Sequence, residues 1–184
     1  MTILVSNAAL AQEPSSSFKG FYVGGHAGYG QVLEDGAEGT NGIVGGVHGG
    51  YNYQSGALVA GIEGDYDDTD ISDSETVAGL PASVSIGYLA SVRGRLGYAT
   101  HNTLFYATAG YAWSNFEVSV TDGVDTLEGT LDLDGVVAGG GVEYKFSKLL
   151  SGRVEGLHYW LEGPNSVEAA TGVVRAGLTL HIPN

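Results

Sequence analysis

Apolar and polar residues alternate with a period of two along most of this chain, the spacing of strands whose two faces meet different surroundings. Eight segments carry the alternation: 20–31, 42–53, 57–66, 85–98, 103–116, 135–146, 150–160 and 171–182. The connections between them alternate in length. Residues 32–41, 67–84, 117–134 and 161–170 are long and polar, whereas 54–56, 99–102 and 147–149 are tight. All four prolines, Pro14, Pro81, Pro164 and Pro183, fall outside the segments, as they must if each segment is paired on both sides. The pattern predicts an all-β chain folded as an eight-stranded antiparallel up-and-down barrel.

Which face is apolar decides what surrounds the barrel. One phase holds Phe21, Val23, Ala27 and Tyr29 in the first segment, Leu58, Ala60, Ile62 and Tyr66 in the third, and similar rows in the others, with His158 its only ionisable member. The opposite phase holds His26, His48, Glu63, Asp65, Arg93, Arg95, Glu143, Lys145, Arg153, Glu155, Arg175 and His181, interleaved with glycines such as Gly24, Gly46, Gly110 and Gly139. A wholly apolar face against a charged and small one suits a lipid-facing exterior and a narrow polar lumen, the reverse of a soluble barrel. Aromatic placement is an independent check. Phe21, Tyr51, Tyr53, Tyr98, Phe105, Tyr144 and Phe146 lie at the tight-turn ends of the apolar rows; Tyr29, Tyr66, Tyr88, Tyr111, Trp113 and Trp160 lie at the long-loop ends. Two such girdles mark the two membrane interfaces, flanking an apolar band about 25 Å tall. No window offers the run of about 20 apolar residues that a membrane helix needs, so the predicted fold is a transmembrane β-barrel. Eight strands leave an interior only just wide enough for side chains to fill, which argues against a wide pore.

Composition sharpens this picture. The 184 residues carry a formal net charge of −14 with 15% charged residues, 31 glycines and no cysteine. The acid excess speaks against a nucleic-acid partner, and the lack of cysteine removes disulfides and thiolate metal sites. The long loops carry Glu34, Asp35 and Glu38; Asp67, Asp68, Asp70, Asp73 and Glu75; Asp122, Asp125, Glu128, Asp132 and Asp134; and Glu162 and Glu168, with no Lys or Arg. The lumen phase is nearly balanced, as a poorly solvated interior requires. Glu63 and Asp65 are expected to face Arg93 and Arg95 across one hairpin, and Glu143 to pair with Arg153 across the turn at 147–149. Such a network predicts a plugged lumen, with a gated conduction path as the alternative. At the N-terminus, Ala9-Leu10-Ala11 after a short apolar run reads as the back half of a signal peptide over 1–11, followed by a linker over 12–17 and the barrel over 18–184.

Candidate chemistry is sparse. His26 and His48 are expected to point inward at one height on adjacent strands, a pair that a metal or haem iron would need to supplement with a third ligand; two hydrogen-bonded lumen histidines is the simpler reading. His158 lies near Glu162 on the apolar phase, where no serine completes a hydrolase set, so no catalytic residue is assigned and no enzyme activity is expected. The glycine-rich runs 24–30 and 139–141 lack the Gly-Lys-Ser/Thr ending of a phosphate loop, and residues 65–70 lack the internal Gly and closing Glu of an EF-hand. No cofactor is assigned.

Gly20-Phe21-Tyr22-Val23-Gly24-Gly25-His26-Ala27-Gly28-Tyr29-Gly30, Gly61-Ile62-Glu63-Gly64-Asp65-Tyr66, Ser91-Val92-Arg93-Gly94-Arg95-Leu96-Gly97-Tyr98, Gly140-Gly141-Val142-Glu143-Tyr144-Lys145-Phe146 and Val174-Arg175-Ala176-Gly177-Leu178 together resemble the small porin-like outer-membrane β-barrel family of Gram-negative bacteria, which includes opacity-type surface antigens and haemin-binding outer-membrane proteins. The resemblance covers residues 18–182 and implies an outer-membrane barrel with structural, surface-antigen or adhesive roles, sometimes haemin binding, and generally no enzyme activity. Members usually end on an aromatic residue, whereas this chain ends Leu180-His181-Ile182-Pro183-Asn184. The expected function is envelope integrity and surface presentation, with both termini periplasmic and the acidic loops extracellular. A haemin- or cation-binding receptor is the alternative, and a small passive channel a third. Expected partners are outer-membrane lipid, lipopolysaccharide reached through divalent cations on the acidic loops, and the outer-membrane assembly machinery.

Overall fold

The computed structural model describes residues 17–33, 41–77, 80–121, 126–164 and 167–182. The segment read as a leader, nearly all of the linker, and the loop acids Glu34, Asp35, Glu38, Asp122 and Asp125 lie outside the described residues. Eight strands follow in chain order: β1 (Gly20–Val32), β2 (Asn41–Ser55), β3 (Leu58–Val77), β4 (Leu80–Thr100), β5 (Thr103–Thr121), β6 (Thr126–Lys145), β7 (Leu150–Gly163) and β8 (Val167–His181). Each pairs antiparallel with its chain neighbour, and β1 pairs with β8 to close the barrel. Closure leaves the spanning section no open edge, the condition for backbone to lie in hydrocarbon.

The tight ends are held by local chemistry. Ser55 pairs with Leu58 and Thr100 with Thr103, so each of these hairpins turns on two residues. Gly56 (φ +58°) and His101 (φ +51°) hold the left-handed conformation at the first turn position, which costs a glycine nothing.

The barrel is inside out relative to a soluble one. Ile43, Leu96, Leu58 and Val174 are more than 60% exposed, while Arg93, Glu143 and Glu155 are 1% exposed or less. No described helix is long and apolar enough to cross a membrane; the strands supply the apolar surface. The predicted girdles are seen as ring contacts on the outer wall. Phe21 meets Tyr51 at 4.8 Å and Tyr144 meets Phe146 at 5.6 Å near the tight turns; Tyr66 meets Tyr88 at 5.7 Å and Tyr111 meets Trp113 at 5.4 Å near the opposite end.

Two of the predicted long loops are largely strand. The stretch 67–84 continues as ladder between β3 and β4 up to Val77↔Leu80, and 117–134 continues between β5 and β6 up to Thr121↔Thr126. The sequence does not alternate cleanly in these stretches, but backbone pairing does not depend on alternation. The ladder slips between Asp68 and Ile71 and between Ile86 and Tyr88, placing bulges near the rim where the long hairpins rise past the shorter strands, a usual place for bulges. At the second slip the Tyr88 N–H donates to Asn115 Oδ1 at 3.1 Å, so the slip leaves no orphaned donor there.

Candidate functional site

Strand period places Glu63, Asp65 and Asp67 on one inward row of β3, Arg93 and Arg95 on β4, Glu143 and Lys145 on β6, Arg153 and Glu155 on β7, and Arg175 on β8. All are buried. Asp67, read from sequence as a rim acid, belongs to this set at 1% exposure, and it brings the buried carboxylates among the described residues into numerical balance with the buried cations.

Ladder neighbours make some of the bonds. Glu63 stands opposite Arg93, which donates to Glu63 Oε1 at 2.7 Å and to Asp65 Oδ1 at 3.0 Å. Glu155 stands opposite Arg175, whose Nε donates to it at 2.9 Å. Other bonds cross the lumen. Arg93 reaches Glu155 at 3.3 Å, Arg153 donates to Glu63 Oε2 at 2.5 Å, and Arg175 donates to Asp67 at 2.7 Å and to Asp65. Tyr22 Oη donates to Glu63 at 2.9 Å, Tyr106 Oη to Glu155 at 3.0 Å, and Ser91 Oγ to Asp65.

Two sequence expectations for this network are corrected. Glu143 and Arg153 are direct ladder partners, yet Arg153 turns to Glu63 and Glu155, and Glu143 takes Arg95 at 2.5 Å with Ser151 and His181. Arg95 accordingly bonds Glu143 and keeps its expected partner Glu63 only as a longer ion pair at 3.9 Å, and it stacks its guanidinium 3.7 Å over the Tyr106 ring. In so narrow a barrel the opposite wall is within reach of an arginine, so the ladder does not dictate the partner. Among the described residues Lys145 bonds no carboxylate; it donates to the Ser17 carbonyl and lies 4.9 Å from the Phe18 ring.

The lumen is not polar throughout. Toward the long-loop end it carries an apolar layer of Val44, Leu89, Leu133, Val137, Leu157, Tyr159, Leu161 and Val173 with Ala112. Toward the tight-turn end Phe18 folds in from ahead of β1 to pack, fully buried, with Val59, Ala99, Leu104 and Tyr106. Its N–H is held by Gln54 Oε1 at 2.6 Å. The ion network is thus sandwiched between two apolar layers. Leu157, Tyr159 and Leu161 share a phase with Arg153 and Glu155, which was the legible signal for the upper layer; Phe18, outside any alternating run, carried none.

His26 and His48 do meet, Nδ1 to Nδ1 at 3.0 Å with rings 5.3 Å apart. Their remaining nitrogens are engaged by Asp67 for His26 and by Thr179 Oγ1 at 3.0 Å for His48. A ring with both nitrogens in hydrogen bonds has no lone pair free for a metal. Among the described residues no group of three or more His, Asp or Glu is placed to hold a metal ion.

A serine, a histidine and a carboxylate come together where the sequence reading did not look: Ser151 Oγ lies 2.8 Å from His181 Nε2 and donates to Glu143 Oε1 at 2.6 Å. The geometry is not that of a hydrolase. Glu143 contacts the same Nε2 that faces the serine, at 3.0 Å, rather than orienting the ring through Nδ1, and Phe18 stands 6.1 Å from the His181 ring. His158 sits on the outer wall against Trp160, with ring centroids 4.1 Å apart.

A family model described as the outer membrane protein beta-barrel domain matches residues 1–180. The chain belongs to that family. It is 35% identical over 145 residues to a 22 kDa outer membrane protein of Rhizobium leguminosarum bv. viciae, covering 78% of this chain and 64% of that protein. It is 31% identical over 166 residues to the 25 kDa outer-membrane immunogenic protein of Brucella abortus, covering 88% and 74%. The chain therefore spans just under two thirds of the length of the Rhizobium relative. Among solved structures, the attachment invasion locus protein Ail of Yersinia pestis matches with a TM-score of 0.59 at 14% identity, over 89% of this chain and 99% of that one. Neisserial surface protein A matches at 0.57 and 15%, over 88% and 97%. These two likenesses concern the fold. This member of the outer membrane barrel family is an outer-membrane protein.

Proposed function

We propose that the protein is a structural, surface-exposed barrel of the outer membrane, with both termini periplasmic, the long hairpins extracellular, and a lumen that is a plug rather than a path. The observation that carries this reading is the layered interior: an ion network closed above by Leu157, Tyr159 and Leu161 and below by Phe18. Arginines that tie opposite walls together stiffen a barrel and obstruct an aqueous route through it. In planar lipid bilayers the purified barrel is expected to show no steady channel openings; sustained, uniform conductance steps would overturn the plug. Names of the Brucella relatives support surface presentation, since they are called immunogenic. A haemin receptor built on His26 and His48 finds no support in their geometry, because both rings are buried and their nitrogens occupied.

A second reading concerns divalent cations. Asp134 stands directly opposite Glu162, both in the outward phase beside Tyr111 and Trp160. Like charges in direct opposition repel, and a hard cation shared with lipopolysaccharide phosphates would relieve them. Calcium is expected to raise the temperature at which the folded band is lost on electrophoresis when lipopolysaccharide is present, and Asp134→Asn with Glu162→Gln to abolish that rise. An undiminished rise in the double variant would remove this reading.

A further inference from the structure

The lipid-facing wall is not evenly filled. Over β6, β7, β8 and the end of β1 it carries a groove of about 440 Å³. Ala138, His158 and Gly172 stand in one row across β6, β7 and β8, and Gly156 lies one outward position further from the loops on β7. Tyr29, Leu33 and Val174 rise around this floor, all about half exposed or more. A Cβ added at Gly156 would meet nothing within 4 Å, whereas one at Gly25, Gly45 or Gly64 would meet a neighbouring carbonyl oxygen at 3.6–3.8 Å. Leu33 leans over Gly172, its Cδ1 3.0 Å from where a Cβ would stand.

His158 gives the groove a polar corner. Between the two girdles it is the only His, Asp, Glu, Lys or Arg on the outer wall among the described residues, it rests against Trp160, and it makes no hydrogen bond to any described residue. An imidazole at the edge of hydrocarbon without a partner is unfavourable, and the polar groups at the head of a lipid chain are what lies at that depth. The groove is continuous with the apolar belt between the two girdles, so what fills it is lipid. We infer that it seats one acyl chain of lipopolysaccharide, with His158 hydrogen-bonded to the amide, ester or hydroxyl groups near the head of that chain. The assignment to lipopolysaccharide rather than phospholipid rests on the outward orientation of the long hairpins proposed above; the groove itself does not.

The test is lipid retention by the folded barrel, purified in mild detergent from a mixture of short-sugar lipopolysaccharide and phosphatidylethanolamine and read by native mass spectrometry. The wild type is expected to keep one lipopolysaccharide. Gly156→Leu, which fills the groove from an unobstructed position, is expected to lose it about tenfold, with its boiled and unboiled electrophoretic bands still separate. His158→Leu leaves the floor open and is expected to weaken retention by a smaller factor, and it serves as the probe should Gly156→Leu fail to assemble. Retention of phosphatidylethanolamine instead, lost in the same variants, would overturn the lipopolysaccharide assignment and the hairpin orientation while keeping the groove. Equal retention in wild type and variants, or none in either, would overturn the groove as a lipid seat. Protease cleavage of a site inserted in the β3–β4 turn on intact cells tests the orientation separately.

Discussion

Arg93→Leu is expected to lower the stability of the folded barrel by about 3–5 kcal/mol, the usual result of removing one partner from a buried ionic network. Arg93 is fully buried and donates to Glu63, Asp65 and Glu155. Its loss leaves those carboxylates to Arg153 and Arg175, which are already engaged with them. Excess negative charge then remains in a space that water reaches poorly. Urea titration of the barrel in detergent micelles, followed by tryptophan fluorescence, measures the change. Ile62→Ala, at an outward-facing position next to Glu63, is the contrast: detergent chains flow into the vacated volume, so no cavity forms and the midpoint should barely move. Equal midpoints for Arg93→Leu and the wild type would mean that the network contributes nothing to holding the barrel closed.

Gly110→Leu is expected to prevent assembly altogether. A Cβ at Gly110 would press on the Val92 carbonyl oxygen and stand 2.6 Å from Arg93 Cα, and neither can give way because both are backbone of the neighbouring strand. Ordinary overpacking costs about 1–3 kcal/mol; here the added chain must also enter a lumen already filled by Arg93. Electrophoresis with and without boiling reads the outcome, since a folded barrel migrates differently from its unfolded chain. Gly110→Leu should show a single mobility. Two distinct mobilities, as in the wild type, would show that the lumen can expand around the new side chain.

These two positions mark what was legible. The inward phase of Arg93 and Gly110 follows from period two alone, as does the outward phase of Ile62 and Gly156. The failures have separate causes. Asp67 was read as a loop acid because it follows Tyr66, the girdle residue, yet it shares the phase of Glu63 and Asp65, and inward residues stay inward past the girdle when the lumen continues upward. The upper apolar layer shares the inward phase with the charged residues, so periodicity alone does not set it apart from them. Phe18 belongs to no strand, and only the folded chain shows it turning into the barrel mouth.

Sequence alone determined the topology, the sidedness of every strand in the spanning section and the two aromatic girdles. Those depend on local backbone geometry and on which solvent each face meets, and a period of two records both. Tertiary structure decided which charge meets which. Glu143 ignores its ladder partner Arg153 for Arg95, and Arg175 of β8 crosses to Asp65 and Asp67 of β3, because closing eight strands brings distant walls within one side chain's reach. It also decided that the lumen is a stack of apolar, ionic and apolar layers, and that the lipid face has a groove at Gly156. Both depend on how strands far apart in the chain stand level with one another, which periodicity along a single strand does not record.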